Sequence, residues 1–196
     1  MIKKFFTALL TSSIFSLLIA HPLFAAPTYT IDQSHSAFNF AVKHLMVSTV
    51  HGGFTDFQGT IEFDPNDLNA FKADIEIKVD SIYTQLVERD KHLKSADFFD
   101  TEHFPFIIFK GAKIEKTDGG YAITGELTMR GTVKTVSIPV KITGPVKGLA
   151  DKNVIGLEGE LTVNRQDYGI SWNKIADNGA IAGNEVKIGI DLEAHE

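Results

Sequence analysis

The sequence predicts an all-β fold, an antiparallel array of about eight strands with a short helical segment between two of them. Apolar and polar side chains alternate with a period of two along most of the chain, for example over residues 72–80 and 185–193. Turn-forming residues separate these runs, as in DPND at 64–67 and DGG at 118–120. Successive side chains of a strand point to opposite faces, so each run has one apolar face that must be covered. A meander covers it by closing into a barrel or by folding into a sandwich, and the alternation is compatible with both.

The first 25 residues have the composition of a secretory signal peptide. A basic start is followed by an uncharged run over residues 5–20 and by small residues at Ala25 and Ala26. A retained membrane anchor would need about 20 apolar residues, whereas hydroxyl side chains interrupt this run. We predict that residues 1–25 are cleaved off and that residues 26–196 form one soluble, periplasmic domain.

The composition excludes several classes of function. The net charge is -6 at pH 7, and loss of the two lysines of the signal peptide makes it more negative still. Nucleic-acid-binding proteins present a basic face to the phosphates, so nucleic acid is not an expected partner. The chain has no cysteine, which excludes thiol catalysis and cysteine-ligated zinc.

Six of the predicted strands keep strict parity, and two are irregular. The regular runs cover residues 36–44, 73–79, 121–129, 136–142, 155–163 and 186–192. Residues 57–63 alternate regularly, but Phe54, which precedes them, does not share the parity of their apolar positions. This mismatch predicts a β-bulge near Thr55 or Asp56. In the run over residues 106–114, both parities are apolar at first, so its faces stay unassigned.

Three glycines fall at inward positions of these runs: Gly59, Gly125 and Gly159. They leave space inside the fold, which favours a ligand cavity, and a barrel of about eight strands is wide enough for one small ligand. The alternative is that they permit sharp bends at barrel corners.

A charged stretch, ERDKHLKSADFFD, interrupts the strand pattern. Leu86, Arg89 and Leu93 fall on one stripe of a predicted helix, and we expect Glu88 and His92 to pair on its surface. A helix with one apolar edge can lie across an open end of the barrel and cover it. The phenylalanines that follow can line the interior beneath the helix. The stretch therefore predicts a helical lid.

Five sequence blocks follow one another along the predicted mature chain. They are DQSHSAFNFAVKHL (Asp32–Leu45), GGFTDFQGTIEFD (Gly52–Asp64), ERDKHLKSADFFD (Glu88–Asp100) followed by FPFIIF, GELTMRGTVKTV, and LTVNRQDYGI. In this order and spacing they resemble the YceI-like family of exported polyisoprenoid-binding proteins. The resemblance covers nearly the whole mature chain.

The resemblance implies a lipocalin-like antiparallel barrel with a helical lid segment between strands. It also implies an apolar tunnel that takes up an isoprenoid or similar long-chain lipid, often in a homodimer, and no cofactor other than this lipid is expected. We expect the inward positions and the aromatic cluster to line the tunnel: Phe38, Phe40, Val42, Phe57, Ile75, Ile77, Val79, Phe98, Phe99, Phe106, Leu127, Met129, Ile138, Leu157, Leu161, Trp172, Ile188 and Ile190.

Basic side chains are candidates for holding a lipid head group. Arg89 lies in the apolar stripe of the lid, and its planar guanidinium suits a phosphate or carboxylate. The alternative is an ion pair with Asp97, Asp100 or another acidic side chain that pins the lid. His44 ends an inward run near a barrel rim, where it either binds a head group or caps the core.

Arg165 is the third head-group candidate, because it shares the inward parity of the strand before it. The alternative is a pair with Asp167. Trp172, the only tryptophan, either lines the cavity, covers its end or packs in the core.

Neither a metal site nor a catalytic residue is predicted. The histidines that remain after cleavage show no HxH or HExxH spacing. No GxSxG nucleophile motif occurs, and the carboxylates lie on the polar parity of the strands, as expected for solvated faces.

The sequence thus predicts a periplasmic protein that carries or stores an isoprenoid lipid, such as a quinone or a polyprenyl phosphate. Removing a chain from water contributes about 0.8 kcal/mol per methylene, so an apolar tunnel binds it with few polar contacts. Two alternatives stay open. One is an enzyme acting on a lipid-like substrate, and the other is an interaction module that contacts a redox protein of the inner membrane.

Overall fold

The computed structural model describes residues 25–148, 151–176 and 179–196, so the predicted signal peptide lies outside the described residues except for Ala25. The described chain contains one α-helix, α1 (Val87–Lys94), and these strands: β1 (Thr28–Ile31), β2 (Ala37–His44), β3 (Ser48–Phe54), β4 (Phe57–Glu62), β5 (Lys72–Lys78), β6 (Ile82–Tyr83), β7 (Phe106–Thr117), β8 (Gly120–Met129), β9 (Thr132–Lys147), β10 (Asn153–Asn164), β11 (Ile175–Ala176), β12 (Gly179–Ala180) and β13 (Ala182–His195).

The strands form a closed antiparallel barrel of eight positions, which confirms the predicted all-β fold. The ring runs β1-β4-β5-β7-β8-β9-β10-β13, and β1 pairs with β13 to complete it. That last pairing is short and joins Thr30 to His195 and Ile31 to Ala194. Closure into a barrel leaves no free sheet edge along this ring, because each of its eight strands has two neighbours.

Three of the eight strands are interrupted and continue beyond the break. The two halves of each interrupted strand are β1 and β2, β3 and β4, and β5 and β6. β2 pairs with β13 as β1 does, and the halves outside the ring pair in the order β13-β2-β3-β6. The first break holds a 3-10 turn, Gln33–His35, whose start is capped by the Asp32 side chain accepting from the Ser34 N–H. Such breaks let one strand bend around the barrel.

The parity change at Phe54 has a different cause from the predicted bulge. β3 ends at Phe54 and β4 begins at Phe57, with the chain between them bonded to the break between β5 and β6. The Thr55 N–H donates to the carbonyl of Ser81. The two halves of this strand therefore carry independent parities.

The inward glycines mark close strand contacts, and none of them lies in the wall of the cavity described below, so the predicted link between these glycines and a ligand cavity does not hold. A Cβ on Gly125 would lie 2.3 Å from the carbonyl oxygen of Lys110. On Gly59 it would lie 2.6 Å from the carbonyl oxygen of Asp74, and on Gly159 it would lie 3.0 Å from Val140. Only a residue without a side chain permits the first two approaches.

The lid segment folds as predicted into a short helix, and its charges suit its ends. Acidic Glu88 and Asp90 lie in the first turn and basic Lys91 and Lys94 in the last, as the helix dipole favours. Of the described helices, none has the length and apolar character that crossing a membrane requires.

Candidate functional site

The barrel encloses a cavity of about 460 Å³. This volume lies within the range of about 300–1,000 Å³ that is usual for small-molecule sites. The wall consists almost entirely of aliphatic and aromatic side chains from the strands, the lid helix and the segment after it. The cavity is thus an apolar compartment inside the barrel.

Most of the predicted lining residues border this cavity. They are Phe38, Phe40, Val42, Ile75, Ile77, Phe98, Phe99, Leu127, Met129, Ile138, Leu157, Leu161, Trp172, Ile188 and Ile190. The inward parity of the regular runs explains this agreement, because one face of each strand points into the barrel. Contact of these residues with a lipid stays a prediction.

Three predicted lining residues lie outside the cavity, which corrects the predicted set. Phe57 is buried behind the wall and packs edge-on against Phe38, with ring centroids 4.9 Å apart. Val79 is buried in the 3-10 turn between β5 and β6. Phe106 begins β7 with an outward parity and is 38% exposed.

The run over residues 106–114 also contributes wall residues that the sequence pattern left unassigned. Ile107 and Phe109 line the cavity. Both have the parity opposite to that of Phe106, which points outward. Alternation along the strand therefore places both of them on the inward face. Phe54 and Phe71 also line the cavity. They lie at a strand end and in a connection, where alternation gives no signal.

The lid helix presents the predicted stripe to the cavity. Leu86, Arg89 and Leu93 all line it, and so does His92. The expected surface pair of His92 with Glu88 is absent among the described contacts, because the ring turns inward instead. Its Nε2 lies 2.9 Å from Oδ2 of Asp97.

An aromatic cluster lies beneath the helix. The His92 ring packs edge-on against Trp172 and Phe98, with centroids 4.9 and 5.0 Å apart. Phe98 and Trp172 are also in contact, at 5.0 Å. Trp172 therefore belongs to the cavity wall and connects it to the lid.

Arg89 is held by Thr84 and not by an acidic side chain. Its Nε donates to Oγ1 of Thr84 at 2.7 Å, and its Nη2 donates to the Thr84 carbonyl at 2.6 Å. Asp97 pairs with His92 and Asp100 pairs with His103, which corrects the predicted ion pairs. Among the described contacts Nη1 has no hydrogen bond, and the half-buried side chain borders the cavity.

Arg165 lines the cavity, but its guanidinium is bonded to the protein. Nη1 donates to the carbonyls of Ile170 and Trp172, both at 2.8 Å, and Nε donates to that of Gly183 at 2.9 Å. Burial lowers the pKa of this guanidinium. The predicted pair with Asp167 does not form, since Asp167 lies 3.7 Å from Nζ of Lys134. Arg165 thus fixes the backbone beside Trp172, which weakens its candidacy for a head group.

One end of the cavity lies between three segments. His44, at the end of β2, lines the cavity and pairs with Ala182 at the start of β13, while Leu86 at the start of α1 also lines it. Exposed apolar side chains occur in these segments and in β11, whose neighbour Lys174 accepts a backbone hydrogen bond from Ile181. We call them the apolar rim: Met46 at 63%, Val47 at 76%, Leu86 at 52%, Val87 at 76% and Ile175 at 81% exposure.

The titratable side chains of the cavity wall are all basic. Among the described lining residues they are Lys43, His44, Arg89, His92 and Arg165, and no carboxylate, hydroxyl or thiol side chain accompanies them. A long apolar wall with basic groups and no acidic ones favours a ligand with an apolar chain and a negative or hydrogen-bond-accepting head.

Comparison with known proteins agrees with this geometry. Residues 29–194 match the family described as the YceI-like domain. The UPF0312 protein SAS2572 of Staphylococcus aureus is 36% identical over 167 residues, which cover 84% of this chain and 95% of that protein.

Two solved structures share the fold. The Campylobacter jejuni YCEI protein superposes with a TM-score of 0.67 at 34% identity, over 79% of this chain and 89% of that one. A polyisoprenoid binding domain from Saccharophagus degradans superposes with a TM-score of 0.63 at 14% identity, over 85% and 97%. The match to the family over most of its length shows that this chain belongs to the YceI-like family.

Proposed function

We propose that this protein binds one long-chain lipid of the isoprenoid type in the barrel and so carries or sequesters it. The observation that supports this best is the composition of the cavity wall. The wall is apolar along the barrel, and every titratable side chain among its described residues is basic. Each methylene that enters such a wall contributes about 0.8 kcal/mol, so the chain supplies most of the affinity. The name of the Saccharophagus degradans domain supports the isoprenoid class.

A binding role is favoured over catalysis by the same wall. A hydrolase or isomerase needs a nucleophile or an acid–base pair within hydrogen-bond reach of its substrate. Histidine and lysine can serve as acid, base or nucleophile, but no serine, threonine, tyrosine or carboxylate stands beside them among the described lining residues to complete such a pair. The basic groups therefore suit recognition of a head group.

The bound lipid can be identified directly. Protein purified under native conditions is extracted with organic solvent, and the extract is analysed by mass spectrometry. We expect an isoprenoid chain in stoichiometric amount. An extract with no lipid, from protein that also fails to take up added lipid, would contradict the proposal.

Trp172 provides a second measurement, because it is the only tryptophan of the chain and lines the cavity. Titration of delipidated protein with a soluble isoprenoid should change its fluorescence in a saturable way. A straight-chain detergent at equal concentration serves as the control for nonspecific partition.

We also propose that the protein acts outside the inner membrane after cleavage of residues 1–25. The support is the composition of that segment, with its basic start and uncharged run. Intact-mass measurement of protein from the periplasmic fraction should give an N-terminus at Ala26 or Pro27. An intact Met1 in a membrane fraction would contradict this.

A further inference from the structure

A cluster of four titratable side chains lies where the barrel closes, at the opposite end of β13 from the apolar rim. Asp32 and His35 belong to the break after β1, and Glu193 and His195 lie at the end of β13. Closure at this point depends on only two residue pairs between β1 and β13. The cluster therefore lies at the seam of the barrel.

The four donor atoms form a ring. Nδ1 of His35 lies 2.8 Å from Oδ2 of Asp32 and 3.9 Å from Oε1 of Glu193. Nε2 of His195 lies 2.8 Å from the same Oε1 and 3.6 Å from the same Oδ2. Nitrogen and oxygen ligands lie about 2.0–2.2 Å from zinc in a tetrahedral site, so their mutual distances are about 3.3–3.6 Å. The ligand atoms of Asp32, Glu193 and His195 all lie within 4.8 Å of one another, so these three residues are close enough to share one ion. His35 lies beside the two carboxylates, and its exposed ring would have to turn toward His195 to become the fourth ligand.

Hydrogen bonds around the cluster hold the Asp32 carboxylate and the Glu193 backbone in place. Oδ1 of Asp32 accepts from the N–H of Ser34 at 2.8 Å and from its hydroxyl at 2.7 Å, which leaves Oδ2 directed at the imidazoles. The Ser36 hydroxyl accepts from the Glu193 N–H at 3.0 Å, and the Asp32 N–H donates to the Glu193 carbonyl at 2.8 Å. Outer contacts of this kind orient the ligands of metal sites.

The donor set selects a class of cation. Two imidazoles with two carboxylates suit zinc and related divalent transition metals, whereas calcium and magnesium prefer oxygen ligands alone. The side chains are between 26% and 65% exposed, so a cation can reach them from solvent.

The geometry points to a binding site for one divalent transition-metal ion of the zinc class, formed by Asp32, Glu193 and His195 and completed by rotation of the His35 ring. Such an ion joins the break after β1 to the last strand and stabilises the closed barrel. The stabilisation follows from binding to the folded state alone and grows with the ratio of metal concentration to Kd. No spacing motif in the sequence predicts this site. Its residues near β1 and those at the end of β13 are about 160 positions apart in the sequence and meet only because the barrel closes.

The competing explanation is a set of histidine–carboxylate ion pairs, and the chain offers a matched control for it. Nδ1 of His103 lies 2.9 Å from Oδ1 of Asp100, with the same three-residue spacing as His35 and Asp32. An isolated pair of this kind gives only two ligands. His103→Ala therefore removes a histidine–carboxylate pair without removing the proposed site.

The test is isothermal titration of zinc into metal-free protein that carries no histidine tag, for the native chain and for His35→Ala, His195→Ala and His103→Ala. We expect one zinc per chain with a Kd in the micromolar range or tighter. Binding should weaken at least tenfold in His35→Ala and in His195→Ala and stay unchanged in His103→Ala. Magnesium in millimolar excess should not displace it.

Two outcomes would overturn the proposal: no zinc binding by the native chain, or equal binding in all four proteins. Should an alanine variant fail to fold, Glu193→Gln keeps the side-chain size and a hydrogen-bonding group while it removes the anionic ligand, and it should show the same tenfold loss. X-ray absorption at the zinc edge provides an independent readout, because two imidazole ligands are expected. Absence of imidazole scattering would also overturn the assignment.

Discussion

Arg89 of the lid helix is bonded twice to Thr84, the residue that follows β6. Nε donates to the Thr84 hydroxyl at 2.7 Å and Nη2 to its carbonyl at 2.6 Å, while the hydroxyl itself donates to Asp90. Thr84 is 2% exposed, so these bonds lie in a protected place and fix the start of the helix. The same side chain borders the cavity, so Arg89 connects the lid to the compartment below.

We predict that Arg89→Ala weakens binding of a polyprenyl phosphate more than binding of a neutral isoprenoid alcohol. A hydrogen bond to a charged group contributes about 1.5–3 kcal/mol, which corresponds to a loss of roughly 10- to 150-fold for the phosphate. The measurement is a pair of fluorescence titrations that use Trp172.

Thr84→Val is the matched control, because it removes the hydroxyl that holds Arg89 but leaves the guanidinium in place. We expect it to weaken both ligands by similar factors, through the lid alone. Equal losses for the two ligands in Arg89→Ala would show that Arg89 acts only by fixing the lid.

The cavity wall is expected to supply the chain affinity. Ile77 and Leu127 line the cavity and are 8% and 7% exposed, so a charge placed there has no partner. Leu127→Asp should abolish lipid retention or unfold the protein, because an unpaired buried charge is costly. Lipid retention is measured by extraction and mass spectrometry, and folding by circular dichroism. Phe106→Asp, on the outer face of the same region, should retain lipid, and a folded, fully loaded Leu127→Asp protein would contradict the inward assignment.

How far the sequence predicts this structure depends on whether a residue belongs to a periodic element. Inward residues such as Phe40 and Ile188 follow from strand parity, and the lid stripe follows from helical spacing. Parity does not continue across a strand break, which is why the pattern around Phe54 predicts a bulge near Thr55 or Asp56 that the structure replaces with a break. Contacts made by turns and strand ends, such as Arg165 with the carbonyl of Trp172, have no period at all.

Arg165 is predicted to be a structural residue whose loss reduces stability. Arg165→Met would leave the carbonyls of Ile170, Trp172 and Gly183 without this donor, and a buried polar group without a partner costs about 1–3 kcal/mol. We expect the free energy of unfolding to fall by about 2–4 kcal/mol in urea titrations. Lys134→Met, which removes an exposed pair with Asp167, should change it by about 1 kcal/mol or less. A loss in Arg165→Met no larger than that would contradict the structural role.

The apolar rim is predicted to be the route by which lipid enters from a bilayer. Its residues adjoin His44 and Leu86, which line the cavity, so an isoprenoid chain that leaves a membrane there stays next to apolar surface on its way into the barrel. Exposed apolar surface of this kind is otherwise unfavourable in water. Met46→Asp and Val47→Asp should therefore slow the uptake of lipid from vesicles by about tenfold, on the order of 1.4 kcal/mol in the barrier.

The equilibrium affinity for a soluble isoprenoid should stay unchanged in both variants, because neither side chain lines the cavity. Val146→Asp is the matched control. Val146 is 55% exposed and pairs with Val154 near the seam of the barrel, at the end away from the rim. Uptake is measured by stopped-flow fluorescence of Trp172 with vesicles that contain a quenching isoprenoid quinone. Equal uptake rates for Met46→Asp, Val47→Asp and Val146→Asp would place the entry route elsewhere on the barrel.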